Sequence, residues 1–471
     1  MSSKKGLKVK IGFVPAHRGF FDEDWAVNMR NRCVKVLSEN KNLELIVPDE
    51  KLTKRGLVKD EEDADRVIQL FKENDVAGII IGTMTFGEEI SALKIAEAFA
   101  GSPILLFGTK EGPFTADGNR LSDSFCGTLS ISSGLYRRNI PFLFAGIVFP
   151  EEEALKESVV NFTRVCAIVK GFIGARIGQV GPRPEPFETC IFNESLLMEQ
   201  FKQRVIPISL AEIFDLANNL SDKDREVQRI LKEIQSQIDA SKVKNESLIK
   251  IAKLENALKK FVEEKNIVAL GVQCWTAMQK IYGVCSCAPM GRLTDQGVMT
   301  SCEVDIYGAL TMLIQFLASL KTTPPHFIDW TIQHQEEENV FLAWHCGNAP
   351  PSLACEECPV VLRTQSVIER TLGSEISEGT LEFQLKPGPV TICRLVEYDG
   401  DFKMLVTKGE IKQSQQKLRG SWSWVEVPDL AFLYRVLVEE GFIHHASLIH
   451  GDYTKAIVDA CKFLGIEAVV V

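Results

Sequence analysis

Apolar runs alternate with amphipathic segments through residues 1–165, and this alternation restricts the fold more than any other feature of the sequence. KVKIGFVPA, LELIVPD, VAGIIIGT and PILLFGT are short and apolar, as buried strands are. Between them, DWAVNMRNRCVKVLSE, EDADRVIQLFKEN and SALKIAEAFA carry apolar residues at helical spacing. Strands separated by helices pair in parallel, because the crossover returns the chain to the end of the sheet where it began. Ligands of such sheets sit beyond the carboxyl ends of the strands. The loops there are PAHRGFF, with His17 and Arg18, GTMTFGEE, with Thr85, and GTKEG. None contains GxGxxG or GxxxxGK[ST], so nicotinamide and nucleotide chemistry lack their usual phosphate cradle.

A second α/β unit is expected over 166–354. CAIVKGFIGARIGQVGPRP ends in a Gly/Pro turn, RVIPISLAEIF adds a strand, and the Lys/Glu spacing of 221–265 predicts a solvated helical pair. IVALGVQCW ends at Gln273 and Trp275, and VMTSCEVD ends at Glu303 and Asp305. An extended backbone would project those two carboxylates on one side of a strand terminus. Asp305 also precedes the apolar helix YGALTMLIQFLASL, where a carboxylate can cap orphan N–H groups. From Cys355 onward the pattern becomes closely spaced short strands: TLEFQLKPG, VTICRLVEYDGDFKMLVTKGEI and SWSWVEV. The expected fold class is therefore α/β, with two Rossmann-like parallel-sheet domains, 1–165 and 166–354, and a β-rich, barrel-like C-terminal domain, 355–471.

A formal net charge of −10 excludes nucleic acid and anionic membrane as partners, since neither gains from an acidic surface. No run of about 18 apolar residues suggests a membrane span, and the N-terminus lacks a signal segment, so a cytoplasmic protein is expected. The thirteen cysteines are then expected to be reduced and mostly buried. CEEC at 355–358 has half the spacing of a zinc ribbon and no second half.

Six of the seven histidines lie beyond residue 325: His345 falls in WHCGNAPPSLA, and His444 and His445 in FIHHASLIHG. Carboxylate oxygens and neutral imidazole nitrogens are the donor set of Mn²⁺ or another divalent cation. If extended, His444 and His445 point opposite ways, so at most one reaches a metal. These motifs resemble the L-fucose isomerase and L-arabinose isomerase superfamily. CEVDIYGALTML is similar to the L-fucose isomerase segment that carries a metal-binding aspartate, with Asp305 at that position. His445 matches the metal-binding member of a C-terminal His-His pair, His345 matches a further histidine of arabinose isomerases, and MTFGEEISAL resembles their Thr-Phe loop. One stretch departs: VCSCAPMGRLTDQGV lacks the upstream glutamate these families carry.

The resemblance implies a metal-dependent aldose–ketose isomerase acting on a sugar through an enediolate. Glu303 and Asp305 would be catalytic, and Glu303, Asp305, His445 and His345 would surround the metal. His17, Arg18, Thr85, Gln273, Trp275 and His444 would face the substrate. A homo-oligomer is also implied, a trimer or hexamer with PAHRGFFDEDW reaching a neighbour's site. Two alternatives stay open: a lyase or epimerase on a related sugar, with an acidic one suited to Arg18, Arg183 and Arg292, and a non-catalytic sugar-binding protein on the same scaffold.

Overall fold

A computed structural model describes residues 6–471. The chain forms two compact units: one runs up to Gly171 and adds Lys455–Gly465, the other is Phe172–Thr454 with Ile466–Val471. In the first, β1 (Val9–Ala16), β2 (Leu43–Ile46), β3 (Gly78–Thr83), β4 (Ile104–Thr109) and β5 (Leu143–Val148) form one sheet in the order β2-β1-β3-β4-β5. Every neighbouring pair is parallel. All six residues of β3 are buried, as an apolar run flanked by helices on both faces requires. The helix Thr454–Leu464, made near the end of the chain, belongs to this unit: Asp459 accepts from Asn161 at 2.7 Å, and Lys462 donates to the Phe142 carbonyl at 2.8 Å.

The second unit holds two sheets. β6 (Arg176–Val180), β7 (Arg204–Ile208), β8 (Ala269–Val272) and β9 (Met299–Cys302) are parallel, in the order β7-β6-β8-β9. The larger sheet contains β10 (His326–Gln333), β11 (Val340–His345), β12 (Val361–Thr364), β13 (Glu378–Gln384), β14 (Gly388–Tyr398), β15 (Asp401–Lys412), β16 (Ser421–Glu426), β17 (His445–His450) and β18 (Glu467–Val470). Its order is β12-β13-β16-β11-β10-β17-β14-β15-β18, and a further β15–β16 pairing closes β16-β11-β10-β17-β14-β15 into a ring of antiparallel neighbours. The α/β class with a barrel-like C-terminal region is therefore what the chain adopts.

Three expectations are corrected. The antiparallel pattern begins at His326 rather than Cys355, because β10 and β11 find their partners β17 and β16 far down the chain, where no local signal announces them. The 221–265 stretch is helical, but Asn245–Lys265 is a core helix. It buries Leu248, Ile251, Leu254 and Leu258, and its Glu255 is closed to solvent. Arg292 spends its charge there, donating to Glu255 at 2.7 Å and Glu233 at 3.0 Å, so it is unavailable to an anionic substrate. Finally, Cys355 and Cys358 are joined in a disulfide, while eleven cysteines are free. Among the described residues no helix is long and apolar enough to cross a membrane.

Candidate metal centre

The site is assembled by the helix Ile306–Ala318, all of whose residues are buried. It lies on β14 and β17. Gln315 donates to the carbonyls of Thr391 and Ser447, and the Thr311 hydroxyl accepts from the Leu395 N–H. Its N-terminus follows β9 through a sharp turn in which Glu303 and Val304 both take left-handed backbone, φ 56° and 58°. For a β-branched valine that conformation is costly, about 1–3 kcal/mol. The turn is possible because Gly271 on β8 has no side chain: a Cβ there would stand 3.1 Å from the Val304 backbone.

This turn overturns the expectation that Glu303 and Asp305 project together from an extended strand. They approach one imidazole from opposite edges: Glu303 Oε2 lies 2.8 Å from His445 Nε2, and Asp305 Oδ2 lies 2.9 Å from His445 Nδ1. The contact at Nδ1 is a hydrogen bond. At Nε2 the atoms are close without hydrogen-bond alignment, which leaves Glu303 Oε2 unpartnered. The carboxylate of Asp305 is fully engaged. Oδ1 accepts from the Gly308 N–H at 2.8 Å, capping the helix, and from Arg394 Nη2 at 3.1 Å; Oδ2 accepts from Arg394 Nη1 and faces His445 Nδ1. Although burial works the other way, the Arg394 guanidinium and His445 hold Asp305 well below the usual carboxylate range.

Sequence reasoning missed Asp329. It stands on β10 directly across the ladder from His445, with Oδ1 3.7 Å from His445 Nε2 and no hydrogen-bond partner. Burial, with the charges of Glu303 and Asp305 adding to it and His445 opposing, pushes its carboxyl up to about 7. A signal was present: a carboxylate inside the otherwise apolar FIDW, the same reasoning that singled out Glu303. His345 closes the group, with one donor atom each of Asp329, His345 and His445 lying within 4.8 Å of one another. Burial drives His345 well down, so its ring is neutral and keeps electron pairs to donate, and its Nδ1 has no partner. Burial also opposes a charge on His445, but its contacts with Asp305, Cys190 and Glu303 outweigh that and raise it well above the ordinary histidine range.

The remaining sequence candidates separate into two places. In this unit, His444 lies ring to ring with His445 at 4.0 Å; Phe187 stands 6.5 Å from His444 and 6.3 Å from Trp275, making an aromatic wall. Gln273 follows β8, beside the strand that ends at Cys302, with its Oε1 unpartnered. His17, Arg18 and Thr85 gather in the first unit, where the strand order places β1 beside β3 at the switch point of the sheet. There His17 Nδ1 meets the Thr85 hydroxyl at 2.8 Å, and Arg18 lies over Phe86 and beside Glu88.

Gly308 tests how tightly this centre is built. Alanine is the better helix former by about 1 kcal/mol. Here, however, its Cβ would lie 2.7 Å from Asp305 Oδ2 and 2.5 Å from the Phe327 ring, which packs on both His345 and His445. Gly308→Ala is therefore expected to destabilise by about 1–3 kcal/mol, the usual range for overpacking. Thermal denaturation checks this; an unchanged or raised Tm would show that the helix start is looser than described.

Residues 12–173 match the family model described as fucose/sulfoquinovose isomerase, N-terminal domain, and residues 343–471 match L-fucose isomerase, C-terminal domain. Together they cover more than half of the chain. A sulfoquinovose isomerase from Priestia aryabhattai is 27% identical over 462 residues, 97% of each chain. Another from Alkalicoccus urumqiensis is 28% identical over 374 residues, 78% of this chain and 80% of that one. An L-arabinose isomerase from Thermotoga maritima is 22% identical over 333 residues, 68% of this chain and 64% of that one. With both terminal models matched and relatives aligned from end to end, the chain belongs to the fucose isomerase-like family.

Proposed function

We propose that this chain is a sugar aldose–ketose isomerase whose divalent cation, Mn²⁺ or a similar ion, is held by Glu303, Asp329, His345 and His445. The observation that carries this is the convergence on His445 Nε2 of Glu303 Oε2 and Asp329 Oδ1, neither with a hydrogen-bond partner, with a ring nitrogen of His345 within 4.8 Å of the Asp329 and His445 donor atoms. Unpartnered buried carboxylate oxygens are costly unless a cation satisfies them, and oxygens with imidazole nitrogens suit Mn²⁺. Asp305 is withdrawn from the ligand set because its oxygens are already occupied.

When bound, the cation would polarise the sugar carbonyl and favour negative charge on the adjoining oxygens. The chain's own groups move the protons. Glu303 takes the proton from C2 of the aldose; the C2–H electron pair becomes the C1=C2 double bond, and the carbonyl pair moves to O1. The same carboxyl, whose proton can exchange with solvent at this stage, delivers a proton to C1 while O2 becomes the ketose carbonyl, and Asp329 accepts the O2 proton and delivers one to O1. The aromatic wall of Phe187, Trp275 and His444 offers an apolar face to the sugar carbons. The assembly is a homo-oligomer in which His17, Arg18 and Thr85 face a neighbour's substrate; sedimentation of a monomer at micromolar protein would rule that out.

Cation binding should release protons. His445 and Asp329 both hold protons more tightly than isolated side chains do, and each must give one up to become a ligand. Apparent affinity is therefore expected to rise as pH rises through 7, with about one to two protons released per ion near neutrality. Calorimetry in buffers of different ionisation heat reads this directly; heat independent of buffer would count against the ligand set. The activity itself is tested by incubating the Mn²⁺-loaded protein with sulfoquinovose, L-fucose and L-arabinose and following the ketose. No ketose from any aldose in a wider panel would leave the sugar-binding alternative.

A further inference from the structure

We propose that Arg394 is a positioning residue: acting through Asp305, it fixes the ring of His445 and cancels the one carboxylate charge that the cation does not use. This rests on the cation reading above. Arg394 lies on β14, in VTICRLVEY, and is among the largest side chains in the protein that are closed to solvent. Its guanidinium meets Asp305 as a fork, Nη1 on Oδ2 and Nη2 on Oδ1. With the Gly308 N–H on Oδ1 and His445 Nδ1 on Oδ2, each oxygen of Asp305 has two partners, and the carboxylate plane cannot turn.

Two consequences follow for His445. A carboxylate that only accepts requires the imidazole to donate from Nδ1, so the electron pair sits on Nε2, the nitrogen that faces Glu303 and Asp329. Charge also balances. Arg394 offsets Asp305, and the two carboxylates left, Glu303 and Asp329, match a divalent ion. Without the guanidinium, three carboxylates would crowd a single imidazole. Fold stability does not account for the arginine: a buried ion pair contributes little over a well-packed apolar pair, and Arg394 Nε has no partner at all among the described residues.

The test is a double-mutant cycle read by Mn²⁺ alone, with free ion followed by its electron paramagnetic resonance. Arg394→Lys keeps the charge and loses the fork; Asp305→Asn keeps the shape and loses the charge. Each is expected to weaken Mn²⁺ binding about 10- to 100-fold. The double variant should be no weaker than the worse single one, because both substitutions break the same chain of contacts. A merely structural arginine would lower Tm equally with and without Mn²⁺ and leave the affinity alone. Affinity of Arg394→Lys within twofold of wild type, or losses that multiply in the double variant, would overturn the proposal. If a variant does not fold, the wild type decides: in Mg²⁺-loaded protein, ¹⁵N NMR should place the His445 proton on Nδ1, and a proton on Nε2 would overturn it. Wild type that binds no Mn²⁺, or His445→Ala that binds it normally, would instead overturn the cation reading and this inference with it.

Discussion

Asp329→Asn is expected to lose Mn²⁺ affinity by on the order of a thousandfold, about 4 kcal/mol, and to lose turnover with it. The substitution turns a charged ligand carboxylate into a neutral amide and so removes one of two uncompensated negative charges, whereas Asp305→Asn removes only a support and should cost about 10- to 100-fold. Comparing these two aspartates decides which belongs to the cation; binding in Asp329→Asn that stays within tenfold of wild type would sink the assignment. Stability should move the opposite way in the cation-free protein. A carboxyl pushed up to about 7 binds its proton more tightly in the folded chain than in the unfolded one. Its contribution therefore falls as pH rises from the ordinary carboxylate range through 7, by on the order of 2–4 kcal/mol. Asp329→Asn escapes that loss: at pH 8 without cation its Tm should exceed that of wild type, and at pH 8 with saturating Mn²⁺ the order should reverse.

Glu303→Gln is expected to lower kcat by about 10²- to 10⁴-fold, the usual worth of a positioned general base. The amide keeps the shape of the side chain but loses the other uncompensated charge, so Mn²⁺ binding should weaken too, and turnover is compared at saturating Mn²⁺ to isolate the loss of the base. The cleanest readout is exchange of the C2 hydrogen of the aldose with deuterated solvent, which isolates proton abstraction from the remaining steps. Wild-type exchange in Glu303→Gln would move the base elsewhere, with Asp329 the next carboxylate within reach of the same ring.

What could be read from the sequence divides along the range of the interactions involved. The strand–helix alternation of the first unit was legible because each βαβ step is a local event with its own periodicity. Glu303, His345 and His445 were legible because polar groups interrupt apolar runs in motifs that resemble known ones. Asp329 and Arg394 interrupt apolar runs equally well, in FIDW and VTICRLVEY, but their meaning depends on the partners that ladder register and helix placement bring to them. Asp305 was seen, but its direction relative to Glu303 was misread. Spacing of two residues implies a shared direction only while the backbone is extended, and left-handed φ at Glu303 and Val304 breaks that premise. The capping role read from the helix that follows Asp305 is present, and the same carboxylate serves His445 as well.

The helix Thr454–Leu464 completes the first unit although nearly three hundred residues of the second are made before it. During synthesis, then, the first sheet emerges early yet must wait for its last helix, with Asn161 and the Phe142 carbonyl unpaired in the meantime. Closing so long a loop slows the final step of folding far more than it affects the stability reached. A fragment ending at Gly171 would keep all five parallel strands and still lack that helix. Supplying Lys455–Gly465 behind a short linker would turn the slowest contact of this unit into a local one.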